Sequence, residues 1–598
     1  MFKEVTFNHV KIKDKFWAPR ISTTQNTTLP ACLQKCEESG RIQNFVSAAT
    51  GKGEFVGIFF NDSDLYKVLE GVAYSLMHNR DPKLEAYADE IIDKIAAAQQ
   101  EDGYLVTYYI MGMGERWTDM ERHEMYCGGH LIEAAVAYYQ ATGKGKLLTV
   151  ARRVADHFDD TFGPGKRHWV AGHQEIELAL VKLYKATGEE RYLKLAHFLL
   201  EERGHGHGVG GFWGDNPMFK EGPAYCQDDK PVSEQERVTG HAVRAMYMYT
   251  GMADVAAETG NKDYLSAMEK LWRNVVLQNM YITGGIGSTK DNEGFTDANY
   301  FMPNDTAYCE TCASAGLVFW NDRLNKLWEH AKYADILERA LYNGALAGVS
   351  LAGDEFFYVN PLASDGTHRR QKWYDTACCP TQIARFMPAV GSYVYRLSTD
   401  GLFVNMFVES DSEIAPDFHI SQKTSYPWDG AVEITLTKVP DGLKHVNIRM
   451  PDWCKNFNCK LNGKPPIEIV YKNGYAVVAA NFNDGDVILY EMDMPTEKMK
   501  ADPRIEANQG RIAIQRGPLV YCAEAVDNPN FTDWFISDDA KIVTHYNPSL
   551  LGGVVVLDVH NPSGEMVRMI PYYAWANRTA GKMEVWLPER REREGLYQ

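Results

Sequence analysis

Through the first two thirds of the chain, apolar residues recur at helical spacing. Leu65 to Met77, Leu-Tyr-Lys-Val-Leu-Glu-Gly-Val-Ala-Tyr-Ser-Leu-Met, is the clearest run. A related boundary follows three such runs: Ala141-Thr-Gly-Lys-Gly-Lys-Leu-Leu, Ala186-Thr-Gly-Glu-Glu-Arg-Tyr-Leu and Glu258-Thr-Gly-Asn-Lys-Asp-Tyr-Leu. Each supplies a glycine suited to ending one helix and a polar turn suited to starting the next. The pattern predicts helical hairpins, roughly 45 to 70 residues apart. Their irregular spacing implies long loops on one face, where function concentrates. A ring of hairpins closes economically as an (α/α)6 barrel with its pocket at the loop end; an open helical solenoid is the competing closure.

Near Ser398 the period changes from helical to alternating. Leu402-Phe-Val-Asn-Met-Phe-Val, Val432-Glu-Ile-Thr-Leu-Thr and Val446-Asn-Ile-Arg-Met read as half-buried strands, and Leu461-Asn-Gly463 and Lys472-Asn-Gly474 as hairpin turns. Arg511-Ile-Ala-Ile-Gln, Leu519-Val-Tyr-Cys and Gly552-Gly-Val-Val-Val-Leu-Asp-Val continue the β texture. The expected layout is a mainly α domain at 8–397, a β-sandwich at 398–500 joined by a strand from 1–7, and a second β-sandwich-like domain at 501–598.

At 598 residues and 45% apolar content the chain is globular and too long for one core. A net charge of −18 argues against a nucleic-acid or anionic-membrane surface. No apolar stretch reaches the roughly eighteen residues that a membrane helix needs. The start, Met1-Phe-Lys-Glu-Val-Thr-Phe, shows no secretory pattern, and eleven scattered cysteines do not form an even disulfide framework. Together these predict a cytoplasmic protein with free thiols.

Those thiols carry the sharpest chemical signal. Cys378 and Cys379 are adjacent, and adjacent cysteines make a strained disulfide. Upstream lies Tyr308-Cys-Glu-Thr-Cys312. Glu310, Cys312, Cys378 and Cys379 form a four-ligand set suited to zinc, although no CxxC is present and buried free thiols fit the spacing as well. His123-Glu-Met-Tyr126, Gly172-His173-Gln-Glu and Gly240-His241-Ala-Val-Arg244 each put a histidine at a predicted helix start. One such histidine more often caps a helix. Three at equivalent places favour polar recognition of a ligand. Glu293 lies in a glycine-rich loop, Gly284-Gly-Ile-Gly-Ser-Thr-Lys-Asp-Asn-Glu, which lacks the Lys-Ser/Thr ending of a phosphate loop.

Tyr281-Ile-Thr-Gly-Gly-Ile-Gly-Ser-Thr, Pro303-Asn-Asp-Thr, Glu310-Thr-Cys-Ala-Ser and Ala377-Cys-Cys-Pro resemble the family 127 glycoside hydrolases, the β-L-arabinofuranosidases. The resemblance runs from Asp62-Ser-Asp-Leu-Tyr-Lys to Pro571-Tyr-Tyr-Ala-Trp-Ala-Asn-Arg. It implies an (α/α)6 barrel followed by β-domains, and zinc (Zn2+) held by Glu310, Cys312, Cys378 and Cys379. It further implies Cys378 as nucleophile and Glu293 as acid/base, with sugar contacts from His123, His173, His241, Glu338 and Tyr358. The implied activity is a retaining, exo-acting hydrolase of small oligosaccharides or glycosides. A branched acidic sugar as substrate, or a non-catalytic carbohydrate-binding role, are the alternatives, and the resemblance allows a homodimer through a β-domain. Three positions depart from the family pattern: one extra residue lies between Glu293 and Pro303, Gly294 follows the acid where serine is expected, and Thr376 stands where some relatives carry cysteine.

Overall fold

The computed structural model describes residues 3–210, 222–465, 469–529 and 534–590; residues 1–2 and 591–598, inside the expected first and last β-segments, lie outside them. Six helices, Asn61–His78, Glu124–Thr142, Ile176–Thr187, Ala242–Thr259, Thr311–Trp328 and Cys378–Phe386, touch one another in sequence, and the last packs against the first. That cycle closes a ring and removes the open solenoid. Around it lie further helices, among them Pro82–Ala98, Lys146–Thr161, Glu190–Glu201, Lys262–Gln278 and Ala331–Arg339. The division shows in the burial pattern. Glu124–Thr142 is buried on every side from Glu124 to Tyr138, whereas Lys146–Thr161 buries a single stripe, Leu147, Val150, Ala151, Val154, Ala155 and Phe158.

An ionic network fills the ring's interior. Arg385 bonds Glu70 at 2.9 Å and also Glu133, while Lys182 reaches Glu70 at 3.2 Å and Glu133 at 3.1 Å. All but Lys182 are almost fully buried, so each charge depends on its neighbours, and removing one would leave another unpaired. The network ties the helix that begins at Cys378 to the first three ring helices, which carry Glu70, Glu133 and Lys182.

The β-region starts earlier than its alternating pattern suggested. Two six-stranded sheets form the middle unit, and both recruit residues from the expected helical span. Lys3–Glu4 pairs with Tyr395–Leu397, and Val10–Ile12 pairs with Ser410–Ala415. These strands are too short to alternate visibly. The last unit is one ten-stranded sheet in which Arg511–Arg516 and Leu519–Glu524 each pair with three other strands. One of its short strands, Met583–Glu584, pairs with Ala363–Ser364, a segment of the helical domain between two ring helices. Among the described residues no helix is long and apolar enough to cross a membrane.

Candidate active site

All six ring helices point their N-terminal ends into one cavity of about 640 Å³. Phe60 precedes the first helix, His123 immediately precedes the second, His173 lies just before the third, His241 caps the fourth, Glu310 immediately precedes the fifth, and Cys378 opens the sixth. The exposed N–H groups and partial positive charge of helix starts favour anions, so this is where a folded chain can hold thiolates and carboxylates.

Glu310, Cys312, Cys378 and Cys379 meet at this mouth, with their four ligand atoms within 4.8 Å of one another. Cys312 Sγ is 3.4 Å from Cys379 Sγ, and the two adjacent cysteines hold their sulfurs 3.8 Å apart. Glu310 Oε1 is 3.5 Å from both Cys378 Sγ and Cys379 Sγ. Its other oxygen is buried without a hydrogen-bond partner. All eleven cysteines are free. The cluster is a candidate metal centre.

The two adjacent cysteines differ in environment. Cys379 is fully buried, whereas Cys378 is partly exposed and lines the cavity. Hydrogen bonds from Cys312 and Cys379 hold the Cys378 thiol well below the ordinary thiol range, with help from the Lys67 ammonium and the Tyr358 hydroxyl, 3.2 Å away. Burial pushes Cys312 and Cys379 up. Protein groups alone thus favour charge on Cys378.

Glu293 reaches the same cavity by a local device. Gly294 and Phe295 pair with His241 and Gly240, and the Ala242 amide donates to the Glu293 carbonyl at 3.2 Å. A Cβ on Gly294 would lie 2.0 Å from the Gly240 carbonyl oxygen, which accounts for glycine at this position. Stitched down this way, Glu293 places its carboxylate 3.0 Å from His241 Nε2. His241 Nδ1 accepts the Val243 and Arg244 amides at 3.1 and 3.4 Å, so it carries no proton, and Nε2–H must face the acid. Burial pushes the Glu293 carboxyl up, but the His241 hydrogen bond and the Arg244 charge outweigh it and hold the group below its usual range. Burial also lowers His241, which stays neutral.

His123, His173 and His241 follow one another around the wall, with ring centroids 5.3 and 5.7 Å apart. His123 stacks on Phe60 at 4.6 Å. Burial lowers His123 and His173 well below the usual histidine range, so the arc presents neutral imidazoles. Tyr358 lies beside Cys378, and Thr376 lines the cavity outside the metal cluster.

Glu338, expected to contact sugar, is the exception: the structure places it away from this cavity. It is 2% exposed and sits on the outer helix Ala331–Arg339. There it accepts from Tyr426 at 2.6 Å and pairs with the buried Arg449 of the middle unit. It joins domains and does not line the cavity.

Sequence reasoning did not single out Tyr126, Tyr225, Arg244, Tyr308 or Glu121, all of which line the cavity. Tyr126 and Arg244 carried a usable signal: each lies three residues after a predicted pocket histidine, on the same face of a helix's first turn. Glu121 carried none. Burial pushes its carboxyl up to about 7.

The β-L-arabinofuranosidase GH127 catalytic-domain family model matches residues 9–392, the GH127 middle-domain model 401–494, and the GH127 C-terminal-domain model 496–588. The chain belongs to glycoside hydrolase family 127. A curated relative from Bifidobacterium longum subsp. longum, a non-reducing end β-L-arabinofuranosidase, is 38% identical over 90% of this chain and 91% of its own. A solved GH127 β-L-arabinofuranosidase from Geobacillus stearothermophilus T6 superposes with a TM-score of 0.91 at 42% identity, covering 97% of this chain and all of the other. A second solved GH127 β-arabinofuranosidase gives 0.91 at 39% identity, with 98% of both chains covered.

Proposed function

We propose that the chain is a retaining, non-reducing-end β-L-arabinofuranosidase whose nucleophile is the Cys378 sulfur and whose acid/base is Glu293. The observation that carries this reading is their shared cavity. Glu293 and His241 lie within 4.8 Å of Glu310, and Glu310 touches the Cys378 sulfur, so sulfur and carboxylate flank one small space. His123, His173 and His241 and the Tyr358 hydroxyl supply neutral polar groups for sugar hydroxyls.

The donor set fits zinc. Tetrahedral ligation with Zn–S near 2.3 Å puts sulfurs about 3.8 Å apart and a carboxylate oxygen about 3.6 Å from each sulfur. The observed separations of 3.4 to 3.8 Å and 3.5 Å agree, and the orphaned second oxygen of Glu310 marks a carboxylate whose partner is not protein. Zinc bound there would keep the thiols deprotonated and fix the position of the sulfurs.

The reaction then follows from this chain's own groups. The Cys378 thiolate attacks the anomeric carbon while Glu293, protonated, gives its proton to the departing glycosidic oxygen. The C–O bond breaks as the C–S bond forms, leaving a thioglycosyl-enzyme. Glu293, now a carboxylate, takes a proton from water, which attacks the same carbon and releases cysteine, with overall retention. Tyr358 steadies the sulfur through its hydroxyl, and His241 orients the carboxylate.

Arabinose release from a β-1,2-linked L-arabinofuranosyl disaccharide, followed by NMR for the first-formed anomer, tests the proposal. Release of the β-anomer supports it; the α-anomer, or no release, overturns it. A carboxylated sugar finds less support, because both arginines of the cavity wall already have partners: Arg244 holds the Gly172 carbonyl at 2.6 Å and stacks on Tyr225, and Arg122 pairs with Asp119 at 3.4 Å.

A further inference from the structure

On the outside of the barrel, His168 Nδ1 and His207 Nδ1 each lie 2.7 Å from the same oxygen of Glu202, and their rings are 4.1 Å apart. The three ligand atoms lie within 4.8 Å of one another. We propose that His168, Glu202 and His207 form a second divalent transition-metal site, distinct from the cysteine cluster and independent of the function argued above.

Three features favour a metal over a simple hydrogen-bonded trio. First, Glu202 is the C-cap of helix Glu190–Glu201, where the helix dipole is negative and a carboxylate is unfavourable. Its side chain is only 10% exposed, and its partners among the described residues are the two imidazoles. A nearly buried anion at the negative end of a helix calls for a cation. Second, His207 Nδ1 is buried and makes no well-aligned hydrogen bond despite its closeness to the carboxylate. A lone pair aimed at an ion satisfies that nitrogen. Third, two imidazoles and one carboxylate on a single point suit zinc, nickel or copper and leave further positions for water. His168, 61% exposed, leaves the entry path open.

The location gives the site a role. His168 follows the outer helix Lys146–Thr161, and His207 lies in Gly204-His205-Gly206-His207, the turn after helix Glu190–Glu201. An ion would tie these two loops together. The turn runs on to Val209, whose carbonyl accepts the Met120 amide at 3.0 Å, beside Asp119, Glu121 and His123 of the cavity wall. The metal thus braces that wall from outside without touching substrate.

Metal content and zinc titration of the full-length protein decide the matter, comparing wild type with His168→Ala/His207→Ala and with Glu202→Gln. The first pair removes exposed or half-exposed side chains, and the second keeps the shape of the carboxyl group. Both variants should bind one zinc equivalent fewer than wild type. The remaining affinity at this site should fall by at least the roughly 10- to 100-fold that loss of an outer partner costs a metal site. With cobalt, the thiolate charge-transfer band reports the cysteine cluster separately, so the lost equivalent should leave that band unchanged. Equal stoichiometry in wild type and both variants, or loss of the thiolate band in place of the second equivalent, overturns the proposal.

Discussion

His241 bears two loads through its two ring nitrogens, and substitution can separate them. Asparagine retains an acceptor for the helix cap but cannot extend a donor to Glu293; alanine loses both. The cap, made through the Val243 and Arg244 amides, is worth about 1 kcal/mol. The bond to Glu293 at 3.0 Å is charge-assisted and is worth about 1.5 kcal/mol, the low end for such bonds, because the acid is 38% exposed. Losing that bond removes the leading influence that holds Glu293 below its usual range, while burial, which pushes the other way, remains. The Glu293 pKa therefore rises in both variants. Since glycosylation requires protonated Glu293, the alkaline limb of the kcat/KM profile on an aryl β-L-arabinofuranoside moves to higher pH. Thermal stability separates the pair: both lose the bond to Glu293, but His241→Ala also loses about 1 kcal/mol of helix capping, which sets its Tm roughly 2 °C below that of His241→Asn for a domain of this size. An alkaline limb in His241→Asn that coincides with wild type would refute the tautomer argument, since neither capping nor sugar contact alone shifts the acid.

Cys378→Ser and Glu293→Gln should each cut kcat/KM by at least about 10²- to 10⁴-fold with circular dichroism unchanged, whereas Glu121→Gln, removing a carboxyl equally at home in the cavity, should cost less than about tenfold. The reverse ranking of the two glutamates would move the acid/base role to Glu121. Gly294→Ser should force the loop off the Gly240 carbonyl by about 1 Å and cost on the order of 10² in kcat/KM, because misplacement on that scale does so; wild-type kinetics would show that the loop has slack. Burial depresses His123, His173 and His241, so the unfolded chain binds their protons first, and stability falls as pH drops below about 6.5, by up to about 1.4 kcal/mol per pH unit for each. Urea midpoints between pH 7.5 and 5.5 measure this, and a flat series would contradict it. Exhaustive chelation should lower both Tm and turnover, and zinc should restore them.

Much of this was legible in the chain. Helical periodicity and recurring Gly-bounded turns marked the hairpins, and the histidines at their starts marked which ends converge, because a helix start in a ring has one direction to face. The metal cluster was visible as residue types, but only the fold brings Glu310 next to Cys378 across 68 positions. Val10–Ile12 escaped because three residues cannot show a period, and strand partners 400 residues away leave no local trace. Glu338 misled because a glutamate in a helical pattern reads alike whether it faces a sugar or a buried arginine. What decided it was Arg449, in another domain. Gly294 shows the converse: a glycine where serine is expected is what lets this loop lie flat against its neighbour.

The pairing of Met583–Glu584 with Ala363–Ser364 has a consequence for how an active molecule comes into being. Tyr572 adds hydrogen bonds to the carbonyls of Asn360 and Pro361, so the last domain grips the segment that follows Tyr358, the residue beside Cys378. A ribosome that has delivered all six ring helices has still not delivered the parts that seat this segment. A chain cut before Tyr572 would carry every ring helix yet lack the groups that hold this segment, so such a truncation is expected to lower turnover.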